Sequence, residues 1–193
     1  MKSFKIFTLV KNNIFNIDLI ISLSFIVSIS LVFLINKKNE FYYLSIIFLI
    51  INLITIITIS LINNFRYQKL NGKFDGELIF LEDKIILDKT TILISDIKNI
   101  YIHIEDYKGK YLWRKTLKPK LQQGVKNFIK IELLNENTIV KYFLQNEKNE
   151  IIKISNILEK YYLNKKIHFL HLIELLGIND YDEIQKIKIK LKN

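Results

Sequence analysis

The sequence predicts an α+β membrane protein: a two-helix transmembrane hairpin, then an antiparallel β-barrel or sandwich closed by a C-terminal capping helix. Three observations predict it. Two long apolar runs without a charge lie in the first 65 residues. Six short runs of β-type alternation follow, separated by tight turns. After Asn146 the apolar spacing changes to that of an amphipathic helix.

The apolar runs are Leu19 to Asn36, LIISLSFIVSISLVFLIN, and Phe41 to Phe65, FYYLSIIFLIINLITIITISLINNF. About twenty helical residues span a hydrocarbon core, so the expected spans cover about residues 18–36 and 41–64. Backbone polar groups in lipid must be satisfied internally, and only Lys37 to Glu40 join the runs, so an antiparallel helical hairpin is expected. The first run lacks a small-residue cleavage site and exceeds the apolar core of a signal peptide. Lys2, Lys5 and Lys11 precede the hairpin, and Arg66, Lys69 and Lys73 follow it. The tip has Lys37 and Lys38, partly offset by Glu40. This bias puts both chain ends on the cytoplasmic side. Ser24, Ser28 and Asn52 are polar groups within the runs and suit helix–helix packing. No ionisable residue lies inside either span, which argues against a transport pathway. The basic segment 1–16 fits either an interfacial helix or a strand of the following domain.

Residues 66–75 read as a linker, with Gly72 inside it and Gly76 just beyond. The runs Glu77–Leu81, Ile85–Leu87, Thr91–Ile94, Lys98–Glu105, Phe128–Leu133 and Thr138–Leu144 read as strands of a meander bent or closed to hide its edges. Asn146 suits a helix cap, and Ile151, Ile154, Leu158 and Tyr161 form the apolar stripe of a helix of roughly four turns. Residues 167–176 read as another helix stopped by Gly177, and Asp180 to Leu191 as a third, within a tail covering 167–193.

GELIFLEDKIILDKTTILISDIKNIYI, from Gly76 to Ile102, is similar to the opening strands of bacterial pleckstrin-homology-like (PH-like) domains. NFIKIELLNENTIVKYFLQNEKNEIIKISNILEKYYLNKK, from Asn127 to Lys166, resembles their last two strands and capping helix. The hairpin before the domain matches a recurring bacterial arrangement. The resemblance implies a PH-like domain over residues 76–166, facing the cytoplasm at a bacterial inner membrane. It implies a non-enzymatic binding or scaffolding role and supplies no catalytic residue.

The formal charge is +10. Residues 66–106 carry six basic and eight acidic side chains, and residues 127–193 carry eleven and nine. YKGKYLWRKTLKPKLQQGVK, residues 107–126, carries seven cations and no acid. A codon bias toward Lys would spread the charge evenly, so this cluster has its own cause. Lys108, Lys110, Arg114, Lys115, Lys118, Lys120 and Lys126, with Trp113, are the candidate lipid- or anion-binding residues. Gly109, Pro119 and Gly124 make the segment a loop or two short arms. Its targets are the anionic inner leaflet, an acidic protein partner (as for an immunity or regulatory factor) or, least favoured, nucleic acid; a solvated loop is the remaining reading. A tethered hairpin favours lipid. Tyr111 and Trp113 are read as strand residues packed on a core more than as membrane anchors.

There is no Cys, which excludes disulfides, Cys-based zinc sites and thiol nucleophiles. The sequence lacks HExxH, a P-loop and a Gly-rich phosphate cradle. His168, His171 and Glu174 drift around a helix rather than converging, so no metal or cofactor is expected. Asp180, Asp182 and Glu183 suit a helix N-terminus. With no nucleophile–base pair in view, an enzyme is not expected.

Overall fold

The computed structural model describes residues 2–10, 17–113 and 116–191. Among them are nine strands and five α-helices, in two compact units. One unit takes the described residues of Met1–Lys11, Leu70–Lys110 and Gln122–Asn193. The other takes those of Asn12–Lys69 and Tyr111–Leu121.

The β unit is built on an antiparallel sheet of seven strands. They are β1 (Ser3–Leu9), β2 (Gly72–Phe80), β3 (Lys84–Leu87), β4 (Thr90–Leu93), β5 (Ile97–His103), β8 (Asn127–Leu133) and β9 (Thr138–Phe143). Their order across the sheet is β4-β3-β2-β1-β9-β8-β5. A two-stranded ribbon pairs β6 (Lys108–Tyr111) with β7 (Leu121–Gln123). Each of the six alternating runs lies in or overlaps a strand. Ile100 and Ile102 of β5, Ile129 and Ile131 of β8, and Leu78 and Phe80 of β2 are buried in one core. The period-two side-chain alternation of a pleated strand puts them there.

Of the N-terminal segment, undecided between helix and strand, Ser3–Leu9 is a strand in the middle of this sheet. Phe4 and Ile6 enter the core, while Phe7 is buried outside that cluster with its ring 5.4 Å from Phe74. The register shifts between Lys5 and Phe7. Leu9 pairs with Gly72, and the Val10 N–H donates to the Asn71 carbonyl at 2.9 Å. The expected linker 66–75 therefore already contains the start of β2. A Cβ at Gly72 would fall 2.2 Å from the Thr8 carbonyl oxygen, so this close crossing needs glycine.

The helix expected from Asn146 begins later. The Glu150 carboxylate accepts the Asn146 N–H at 2.6 Å and pairs with Lys2 Nζ at 2.5 Å. Asn149 turns the chain at φ 60°. A 3-10 turn, Glu150–Ile154, then leads into α3 (Ser155–Leu163). Burial pushes the Glu150 carboxyl up, but Lys2 and the Asn146 N–H outweigh it and leave the group below its usual range. On α3, the buried Tyr161 hydroxyl donates to the Leu81 carbonyl at 2.6 Å.

Helix α4 (Phe169–Leu176) ends at Gly177, whose φ of 68° suits a left-handed cap. Helix α5 (Tyr181–Lys190) begins at Asp180, whose carboxylate accepts the Glu183 N–H at 3.0 Å. The segment read as a tail is part of the domain: Ile167, Leu172 and Leu175 are buried with Leu158 and Tyr161. With Lys166 just before it, it also covers the outer edge of β5. The Ile100 N–H donates to the Lys166 carbonyl at 2.8 Å, and the Ile102 N–H donates to His171 Nε2 at 3.1 Å. Lys166 Nζ donates to the Ile97 carbonyl at 2.6 Å. An edge strand left bare would be a template for foreign strands.

In the helical unit, α1 (Ile17–Leu34) packs on α2 (Phe41–Asn64). Ser24 Oγ donates to Asn52 Oδ1 at 2.8 Å, and the Asn52 amide donates to the Phe48 carbonyl at 2.9 Å. The mid-helix amide therefore serves helix pairing. Asn36 accepts the Lys38 N–H and Asn39 accepts the Phe41 N–H, both at 3.0 Å, turning the chain between the helices. Among the described residues one helix, Phe41–Asn64, is long and apolar enough to cross a membrane; α1 is a shorter apolar helix.

Candidate membrane-interface site

A helix leaves its last carbonyls without intrahelical donors. In α2 the sequence ends in Asn63 and Asn64, and Tyr111, Leu117 and Lys120 close over that end. The Lys120 N–H donates to the Asn63 carbonyl at 2.9 Å. The Asn63 side-chain amide donates to the Leu117 carbonyl. The Tyr111 hydroxyl donates to Asn64 Oδ1 at 3.1 Å. Past the helix, the Leu121 N–H donates to the Arg66 carbonyl at 3.1 Å, and the Gln68 N–H donates to the Leu121 carbonyl at 2.8 Å. Tyr67 and Leu121 form a parallel bridge. The middle of the basic segment is thus strapped to the end of the apolar helix by backbone and amide groups.

Trp113 is 93% exposed, with its ring set edge-on to Tyr111 at 5.0 Å. This corrects the expectation that the two rings pack on a core. Tyr111 ends β6 and is 37% exposed, and Trp113 lies beyond the strand. Local alternation cannot show where a strand stops when its partner, β7, is only three residues long. Lys118 is exposed. Lys120 is buried and donates from Nζ to the Thr116 carbonyl at 2.9 Å, so part of its hydrogen-bonding capacity serves the loop itself. Arg114 and Lys115 lie outside the described residues.

Lys108, Lys110 and Lys126 belong to the β unit. Lys108 is exposed on β6, and Lys110 donates from Nζ to the Glu105 carbonyl. Lys126 lies close to the buried Asp106. Burial pushes that carboxyl up, against the Lys126 charge and the backbone of Lys126 and Gly124. The described cations of the segment therefore divide between the two units.

The sequence reading did not include the helix-end residues Asn63, Asn64 and Phe65 in the site. Two amides closing a long uncharged run were the available signal. Phe65 is 81% exposed and Tyr67 is 45% exposed. Together with Tyr111 and Trp113 they put four aromatic rings in the part of this unit that ends α2. Arg66, Lys118 and Lys120 lie in the same stretches, and neither Phe41–Lys69 nor Tyr111–Leu121 contains an acid. Aromatic rings and cations beside an apolar helix are the residue types that the boundary between hydrocarbon and water favours.

No family model matches the sequence, no curated protein matches it, and no solved structure matches the fold.

Proposed function

We propose that the chain is a membrane-anchored binding or scaffolding module rather than an enzyme. In this reading α1 and α2 both cross a bacterial inner membrane, and the β unit lies in the cytoplasm as a PH-like domain. The basic segment contacts the anionic inner leaflet.

The observation that carries the proposal is the pairing of β1 with β2. These strands flank the helix pair in sequence and are hydrogen-bonded neighbours in one sheet. Both must lie on the same side of any bilayer. The chain between Leu9 and Gly72 therefore crosses an even number of times. Helix α2, at 24 residues, is about 36 Å long and suffices for a span. If α2 crossed alone, it would separate β1 from β2. Helix α1, at 18 residues and about 27 Å, must then cross as well. The flanking cations favour the cytoplasm for both ends.

The absence of Cys makes the test clean. Asn39→Cys, between the helices, and Lys89→Cys, exposed between β3 and β4, are labelled with a membrane-impermeant maleimide in spheroplasts. Asn39→Cys is expected to react in intact spheroplasts and Lys89→Cys only after lysis. Equal reactivity at the two sites would sink the proposal.

A further inference from the structure

We infer that the end of α2 is a lipid-docking surface in which the Trp113 indole sits at the boundary between headgroups and acyl chains. This deepens the membrane-anchored reading and rests on it. A side chain 93% exposed has no core to pack on. Its position is nevertheless constrained. Its ring lies against Tyr111, whose hydroxyl bonds Asn64 in the last turn of α2. The segment on the other side of it is tied to Asn63 through Leu117 and Lys120.

The occupant follows from what adjoins the surface. The α2 surface is apolar along its length, and 11% of its most apolar window is buried. The exposed rings of Phe65 and Tyr67 follow the last turn of the helix in the chain, and Tyr111, which carries the Trp113 contact, bonds that turn at Asn64. An indole combines a large apolar body with one N–H donor, which suits a zone that is apolar on one side and wet on the other. Arg66 and Lys118 supply cations for headgroup phosphates from the same stretches. A soluble protein partner would have to compete with lipid that the helix already holds against this surface.

The protein contains one tryptophan, so its fluorescence reports this position alone. The full chain is reconstituted in nanodiscs of phosphatidylcholine with phosphatidylglycerol, carrying bromines at shallow, middle or deep acyl positions. The expected result is blue-shifted emission, strongest quenching by the shallow bromines, and protection from aqueous iodide. Asn63→Leu, which removes the tie to Leu117, should lower bromine quenching about twofold or more, because a released segment also samples water. Overturning results would be emission typical of a hydrated indole, quenched by iodide and indifferent to bromine, from chains that do co-purify with the nanodiscs. Chains that fail to enter the nanodiscs would overturn the membrane-anchored reading and this inference together.

Discussion

If residues 11–70 are excised and Val10 is joined to Asn71 through an Asn-Gly pair, the β unit should persist as a water-soluble protein. Leu9 pairs with Gly72, and the Val10 N–H reaches the Asn71 carbonyl at 2.9 Å, so the strand ends are already a hairpin turn apart. Replacing about sixty residues by two lowers the loop-closure cost by about 3 kcal/mol if the insert behaves as a flexible coil. The packed helices are stiffer than that, which makes the figure a ceiling. The complementary chain, residues 70–193, lacks β1. It loses Phe4, Ile6 and Phe7, each 2% exposed in the whole protein. At about 2 kcal/mol per buried side chain that is about 6 kcal/mol, before the ladder bonds to β2 and β9 are counted. Domain stabilities run from about 5 to 15 kcal/mol, so this chain should not fold. Gel filtration without detergent and guanidinium titration by circular dichroism compare the two. A folded chain 70–193 with the same midpoint as the joined version would refute the reasoning. So would a joined chain that needs detergent.

Two single substitutions probe the β unit in that joined protein or in the full chain. The Glu150 carboxyl is held below its usual range, so its contribution to stability is present above the unfolded value of 4.5 and is lost as pH falls through the lower folded value. Losing the charged hydrogen bonds in Glu150→Gln should cost about 1.5–3 kcal/mol near pH 7, and the difference from the parent should shrink as pH falls below 4.5 in urea titrations. His171→Phe keeps a ring against Tyr101, which His171 now stacks on at 4.5 Å, but removes the acceptor for the Ile102 N–H. A loss of about 1–2 kcal/mol is expected, with faster hydrogen exchange at Ile102 than at its core neighbours; unchanged exchange there would count against the edge-covering role.

The sequence was most informative where structure depends on local spacing. KNIYIHIE and FIKIEL alternate because one face of each strand meets the core, and they pair as β5 and β8 through Ile100↔Ile131 and Ile102↔Ile129. Gly177 and Asp180 mark helix ends by backbone and side-chain chemistry that acts within a few residues. The N-terminal segment could not be decided, because what makes it a strand is a partner encoded more than sixty residues later. Segment 107–126 stood out by charge, but its attachment runs from Asn63 to Leu117, across 54 positions. Nothing in the neighbourhood of Trp113 announces that distant tie. The tail 167–193 was set apart because its Ile167, Leu172 and Leu175 have the same spacing whether they cover this core or another surface.

The place of β1 has a consequence for biosynthesis. Synthesis passes this strand well before its two sheet neighbours, which end at Phe80 and Phe143. At about 5–20 residues per second, β9 is complete roughly seven to twenty-seven seconds after β1. Until β2 is made this short, apolar, basic stretch has neither sheet neighbour, and until β9 is made one of its edges stays unpaired. The second edge of β1 is therefore closed only after β9 emerges, and a holdase that shields Phe4, Ile6 and Phe7 during the wait would raise the yield of finished protein.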